Sequence, residues 1–226
     1  MFNGGEIVGF VKFFRDEWKL DKLIEGCFYC NTPEFYRLSK DEGVSDKFES
    51  SIFTYRQGRG DSPVILTLGD LKIEDMLGLT VQSPDDYDSW LHCWMAFSVP
   101  RNNSELQSFK KNISRMKREF GIHYAYLPYQ NLAKLKQILS KITTHKVEAD
   151  LVQYSPNKSD WNTFCKSIDY AYQCEFRFAI GKCSTNTIEH IEPKYAPGFS
   201  KLIFKNVGLK LQGEKSKEFY LDLDSL

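Results

Sequence analysis

The sequence has no excess charge of either sign: 30 Lys and Arg stand against 30 Asp and Glu in 226 residues. That balance excludes a globally basic nucleic-acid binder and an acidic tail protein, and leaves only local charged patches. No apolar run approaches the roughly 20 residues that span a bilayer. The start, Met1-Phe2-Asn3-Gly4-Gly5-Glu6, lacks a basic segment followed by an apolar one, so it does not read as a signal peptide. There is no P-loop, no dinucleotide glycine fingerprint, no HExxH and no GxSxG. The commonest nucleotide, zinc-protease and hydrolase readings are thereby removed. Histidine is scarce, with four dispersed residues that define no catalytic spacing. Internal repeats, low-complexity blocks and Pro/Gly/Ser linkers are also lacking.

What is present is an ordinary globular composition, 42% hydrophobic and 15% aromatic, which argues against disorder. At about 100–200 residues per domain, and with no linker, residues 1–226 read as a single domain. A chain of this length buries roughly 70% of its unfolded surface and needs no metal or disulfide to fold. The six cysteines are therefore expected to be reduced thiols in a cytoplasmic protein with no membrane partner.

Ile7–Phe14, β-branched and aromatic, predicts a buried first strand interrupted by Lys12. Residues Asp16–Leu23 predict a short helix stopped by Gly26, and Cys27–Cys30 a second short strand. Pro33 suits a helix start, and Phe35–Glu49 reads as a long polar loop. Further strands are expected at Pro63–Leu68, Leu91–Val99, Ile122–Leu127, Lys146–Tyr154, Tyr172–Gly181, Leu202–Leu211 and Phe219–Leu223. Leu106, Phe109, Ile113, Met116 and Phe120 keep helical spacing, so Ser104–Phe120 predicts an amphipathic helix with Ser104 as N-cap. Helices are also expected at Tyr129–Lys141 and Asp160–Ser167. Without regular βα alternation, this order predicts an α+β fold with mixed or antiparallel sheets flanked by amphipathic helices.

Several residue groups carry chemistry. Cys27 and Cys30 have zinc or redox spacing, but no second close pair completes a metal site, so two buried thiols is the simpler reading and no metal is assigned. Lys110, Lys111, Arg115, Lys117 and Arg118 crowd one helix, either as a solvated face or as a phosphate-binding platform for nucleic acid. Glu175 and Arg177 share one face of a strand whose other face carries Cys174, Phe176 and Phe178. They read either as a half-exposed cross-strand ion pair or as a carboxylate held at a cleft by a neighbouring cation. The stretch from Asn31 to Glu49 is either a surface loop or a ligand grip, with Tyr36 stacking on a ring and Arg37 forking onto phosphate.

The segments EGCFYCNTPEFYR…DKFES, CWMAFSV, GIHYAYLPYQNL and FCKSIDYAYQCEFRFAI follow one another over roughly residues 9–180. Their order resembles a family of bacterial uncharacterised domains. Its members carry a Gly-x-Leu-x-Phe segment, an Asn-Asp-Pro-Phe-Glu loop, a Cys-Phe-Ser strand and a closing Glu-Tyr-Arg. Here Asp46-Lys47-Phe48-Glu49 stands in the acidic-loop position. The layout also resembles the small ADP-ribosyltransferase folds of toxins and phage-defence proteins. That resemblance implies NAD as cofactor and a nucleic-acid or protein acceptor, with a neutralising antitoxin as a further partner. It places the cofactor at Lys12 and Phe13, where a His or Arg is commoner than Lys, and at Asn31, Phe35, Tyr36, Arg37, Asp46 and Glu49. Catalysis falls to Glu175 with Arg177. Two competitors come from other classes. One is a non-catalytic assembly module using the abundant aromatics. The other is a metal-dependent nuclease built on Asp46, Glu49 and Glu175. The transferase reading requires Lys12, Tyr36 and Glu175 to line one cleft.

Overall fold

The computed structural model describes residues 6–212 and 219–223; residues 1–5, which carry most of the reading that the chain starts without a leader, lie outside them. In chain order the elements are β1 (Ile7–Phe14), α1 (Glu17–Ile24), α2 (Pro33–Leu38), β2 (Phe53–Arg56), β3 (Leu66–Leu68), β4 (Leu71–Ile73), β5 (Gly78–Val81) and β6 (Asp88–Ser98). Then come α3 (Asn103–Phe120), β7 (His123–Pro128), α4 (Leu132–Ile142), β8 (Val147–Leu151), β9 (Gln153–Ser155), β10 (Cys165–Ser167), β11 (Glu175–Cys183), β12 (Phe204–Lys205), β13 (Lys210–Gln212) and β14 (Phe219–Asp222). Six strands form one antiparallel sheet in the order β12-β7-β1-β6-β11-β8. The expected α+β class is what the chain adopts. Among the described residues no helix is long and apolar enough to cross a membrane.

Strand alternation builds a core on each side of this sheet. Phe10, Trp94, Ala96, Leu127, Phe176 and Phe178 point to one face, where Leu20 and Leu23 of α1 and Leu135 and Leu139 of α4 cover them. Val11, Phe13, Met95, Phe97 and Tyr124 point to the other, against Leu106, Phe109, Ile113 and Met116 of α3. Cys174 departs from the predicted alternation. It precedes β11 in the left-handed region (φ 44°) and packs beside the α3 core rather than with Phe176 and Phe178.

Other differences have local causes. The predicted helix Asp160–Ser167 does not form: a 3-10 turn over Lys158–Asp160 ends where it would begin, and β10 takes its last three residues. Ser155 Oγ donates to Asp160 and accepts from Asn157 N, while Asn162 Oδ1 accepts from Phe164 N. These short-range bonds compete with a helical ladder. Conversely, α2 interrupts the predicted loop Phe35–Glu49 because Thr32 Oγ1 accepts from Phe35 N at 3.2 Å and Pro33 opens the first turn. The N-cap of α3 is Asn102, not Ser104, with its side chain accepting from Glu105 N at 2.9 Å. Cys27–Cys30 forms only isolated bridges, from Cys27 to Lys194 and from Cys30 to Ile191. The expected strand Lys146–Tyr154 breaks at Val152 into β8 and β9.

One glycine fixes how α3 meets the first strand. Gly121 has φ 108°, and a Cβ there would lie 2.2 Å from the Phe14 carbonyl oxygen. Gly121→Ala is expected to cost at least about 2 kcal/mol of unfolding free energy, because strain and a backbone clash add. Gly58, whose added Cβ would meet nothing within 4 Å, is the control. Gly58→Ala is expected to stay within about 0.5 kcal/mol in the same urea titration.

Candidate functional site

The sheet splits in the middle. β1 pairs with β6 only down to Val11 and Met95, whereas Lys12, Phe13 and Phe14 pair with β7 alone. β6 continues along β11 to Asp88, so β1 and β6 part below Val11. Asn31 takes up the lower edge of β6, exchanging both backbone bonds with Leu91 at 3.1 and 2.6 Å. Between these two pairings the Cys93 carbonyl accepts instead from Lys12 Nζ at 2.8 Å. A cavity of about 610 Å³ opens at this split. Lys12, Phe13, Asn31, Phe35, Tyr36, Glu49 and Glu175 all line it. The geometric requirement set by the transferase reading is therefore met.

Under the cavity lies a buried charge cluster. Arg177 donates from Nε to Glu175 Oε1 at 2.7 Å and from Nη1 to Glu49 Oε1 at 2.8 Å. Lys166 Nζ reaches Glu175 Oε2 at 3.0 Å, Glu49 Oε2 at 3.1 Å and Asp46 Oδ2 at 3.8 Å. Asp46–Glu49 and Glu175–Arg177, far apart in the sequence, thus meet in space. Of the two readings of this pair, the half-exposed one does not hold, since Glu175 and Arg177 are both buried. Burial raises the Glu175 carboxyl, but Arg177 and Lys166 outweigh it and hold the group below its ordinary value. Glu49 is lowered by the same balance. Lys166 is held above its ordinary value because Glu175 and Glu49 overcome its burial.

Asp46 behaves oppositely. Burial, then the Glu49 charge, push its carboxyl up to about 6, against the pull of Lys166. Between its ordinary 3.8 and about 6 the folded chain binds this proton more tightly than the unfolded chain. Asp46 therefore costs stability as pH rises through that window, and the full cost remains at pH 7. Asp46→Asn keeps an acceptor for Phe48 N, which Asp46 Oδ1 now meets at 3.0 Å. It is expected to stabilise at pH 7 by on the order of 2 kcal/mol and by much less at pH 4.5. Urea titrations at the two pH values read the difference.

Three sequence assignments are corrected. Arg37 does not fork onto a phosphate: it is fully buried, donates to both oxygens of Asp88 at 2.7 and 2.8 Å, and lies outside the cavity lining. Its Nε also donates to the Glu49 carbonyl at 2.9 Å, so it ties α2 to the acidic loop. Asp46 and Arg177 likewise lie beneath the lining rather than in it. Arg177 thus meets the cavity only through Glu175, which lines it.

Part of the basic helix is turned onto the protein itself, through Arg115 and Lys117. The Arg115 guanidinium stacks 3.4 Å from the Tyr172 ring centroid and donates to Glu119 Oε1 at 2.7 Å. Arg118 approaches Glu119 at 3.8 Å, and Lys117 donates to the Leu223 carbonyl. Lys110 is half-buried and Lys111 exposed, and none of the five lines the cavity. Of the carboxylates named by the nuclease competitor, Glu49 and Glu175 each accept from both Lys166 and Arg177, while Asp46 meets Lys166 alone at 3.8 Å. Among the described residues no group of three or more His, Cys, Asp and Glu is arranged for a metal.

Sequence reasoning missed Lys166, Trp18, His92 and Glu119, all of which line the cavity. His92 is buried, stacks on Phe28 at 3.9 Å and places Nδ1 2.7 Å from the Tyr29 carbonyl. Burial, then Lys12, hold its pKa well below the ordinary value, so the ring is neutral and Nδ1–H donates to that carbonyl. Lys12, shielded from bulk water, is also lowered, chiefly by burial. All six cysteines are free. Burial raises the Cys93 thiol to about 12, which removes it as a nucleophile near neutral pH. No protein-family model, curated protein or solved structure matches the chain.

Proposed function

We propose that the chain is an NAD-dependent ADP-ribosyltransferase-like enzyme acting in the cavity at the split of the sheet. The observation that carries this reading is the convergence of Lys12, Tyr36, Glu49 and Glu175 on one cavity of about 610 Å³. The residues fit the group. Tyr36 and Phe35 offer aromatic faces, Lys12 offers ammonium protons beyond the one given to Cys93, and Glu175 offers a fixed carboxylate. When bound, NAD supplies a nicotinamide–ribose bond whose cleavage leaves positive charge on the ribose and sends the electron pair out with nicotinamide.

The task of Glu175 follows from its pairing. Each of its oxygens already accepts one charged donor, so it is a weak base but a permanent charge. It stabilises developing positive charge and accepts from a ribose hydroxyl with its remaining lone pairs. Arg177 and Lys166 fix its orientation in advance, so no rearrangement is required during the reaction. The Tyr36 hydroxyl, whose pKa burial holds well above the ordinary value, stays protonated and can donate toward the same centre. The acceptor's nucleophile would form the new bond at the ribose carbon as the bond to nicotinamide breaks, its proton passing to water because Glu175 is too weak a base to hold it. The setting of a toxin or antiphage effector, with its neutralising partner, is supported by the sequence resemblance alone.

Binding tests this reading first. NAD at about 100 times its Kd is expected to stabilise the fold by roughly 2.7 kcal/mol, seen as a rise in Tm. Tyr36→Ala is expected to lose most of that rise. No rise in the wild type at millimolar NAD would remove the reading. A second role, in protein binding, is favoured by apolar side chains in and beside the β3–β4 hairpin: Ile65 is 62%, Leu71 59% and Leu77 79% exposed. They suit an acceptor or partner surface outside the cavity.

A further inference from the structure

The mouth of the cavity is built differently from its floor. The floor holds the charge cluster; the mouth is formed by Trp18, Lys19 and Lys22 of α1 together with Tyr29 and His190. Two of these are large aromatics left open, Trp18 at 55% and Tyr29 at 43% exposure. Tyr29 leans on the His190 ring at 4.5 Å, which fixes its plane. Trp18 and Lys22 are four residues apart and share one face of α1. The Lys22 ammonium lies 5.0 Å from the indole centroid. Lys19 is paired to Asp16 at 2.8 Å, whereas Lys22 has no ion pair among the described residues. An open indole next to an unpaired cation, at the edge of a deep cavity, matches a planar ring that carries an anion.

We propose that this mouth is a nucleotide subsite, in which a purine base stacks on Trp18 and its phosphate meets Lys22. The inference rests on the transferase reading for its orientation: the adenosine-phosphate end of the donor lies at α1 and the bond to be cleaved lies at Glu175. Stacking on an aromatic side chain does not depend on base edges, so the subsite reads ring and charge rather than hydrogen-bond pattern. The Trp18 side chain lies on the surface, so replacing it leaves the core intact.

The test is a calorimetric titration with AMP, adenosine and ribose 5-phosphate as separate probes. AMP is expected to bind the wild type more tightly than either fragment. Trp18→Ala is expected to weaken AMP about tenfold, and Trp18→Phe to keep most of the affinity. Lys22→Glu is expected to weaken AMP but not adenosine, and to reduce the salt dependence of AMP binding. The proposal is overturned if AMP fails to bind at millimolar concentration, or if Trp18→Ala and Lys22→Glu both bind it like the wild type. Failure of the enzyme reading looks different: AMP binding that depends on Trp18, with no nicotinamide released from NAD. Conversely, release of nicotinamide with a KM unchanged by Trp18→Ala removes the subsite and leaves the enzyme.

Discussion

Replacing Arg177 with Met is expected to lower the unfolding free energy by about 3–5 kcal/mol, the cost of leaving a buried charge uncompensated. Arg177 is fully buried and is shared by Glu175 and Glu49, so its loss leaves two carboxylates facing Lys166 alone. The cluster is already short of cations, with Lys166 and Arg177 set against Asp46, Glu49 and Glu175. Arg177 Nη1 also donates to the Thr163 carbonyl, so the loop before β10 loses its anchor. Removing a carboxylate together with the guanidinium should return part of the loss. The double variant Glu49→Gln/Arg177→Met is therefore expected to be more stable than Arg177→Met alone. Urea titration at pH 7 checks both. A loss under about 1 kcal/mol for the single variant would mean that the cluster does not hold this part of the fold together.

Glu175→Asp is expected to reduce ADP-ribosyl transfer by about a hundredfold while losing less stability than Glu175→Gln. Asp keeps the charge that Arg177 and Lys166 require, but withdraws the carboxylate from the cavity by about one bond length. A misplacement of about 1 Å costs on the order of a hundredfold in rate. Gln removes the charge itself, which is expected to reduce transfer by a further tenfold or more and to leave two cations facing each other. Measuring transfer alongside the urea midpoint separates the two effects. A structural carboxylate would show Asp and Gln ranked by stability, with transfer unchanged in whatever fraction remains folded. Normal transfer by folded Glu175→Asp would remove Glu175 from the reaction.

The sheet and its two-sided core were largely legible because their signals are local. Ile7–Phe14 matches β1 residue for residue, and the three–four spacing from Leu106 to Phe120 marks the buried face of α3. The shared face of Glu175 and Arg177 followed from alternation, but the depth of their burial did not. That depth depends on Lys166 and Glu49, which β10 and the loop after α2 bring in from elsewhere in the chain. Arg37 was misread for a similar reason. Its partner Asp88 lies 51 residues later at the start of β6, and no local pattern shows that a buried carboxylate waits for it. The Asp160–Ser167 stretch was misread because the Asp160 side chain accepts from Ser155 Oγ behind it rather than capping a turn ahead. Trp18 lies inside the predicted helix Asp16–Leu23, but that it stands open at the cavity mouth is decided only by the packing of α1 beside the split.

In the proposed reaction the cavity at the split cleaves the nicotinamide–ribose bond. Release of free nicotinamide from NAD, followed by chromatography with purified wild-type protein and cell lysate as acceptor source, tests it most directly. Time-dependent nicotinamide release is expected, with ADP-ribose label appearing on acceptor and both signals lost in Glu175→Gln. Release that persists unchanged in folded Glu175→Gln, or no release by the wild type under any acceptor condition, would contradict it.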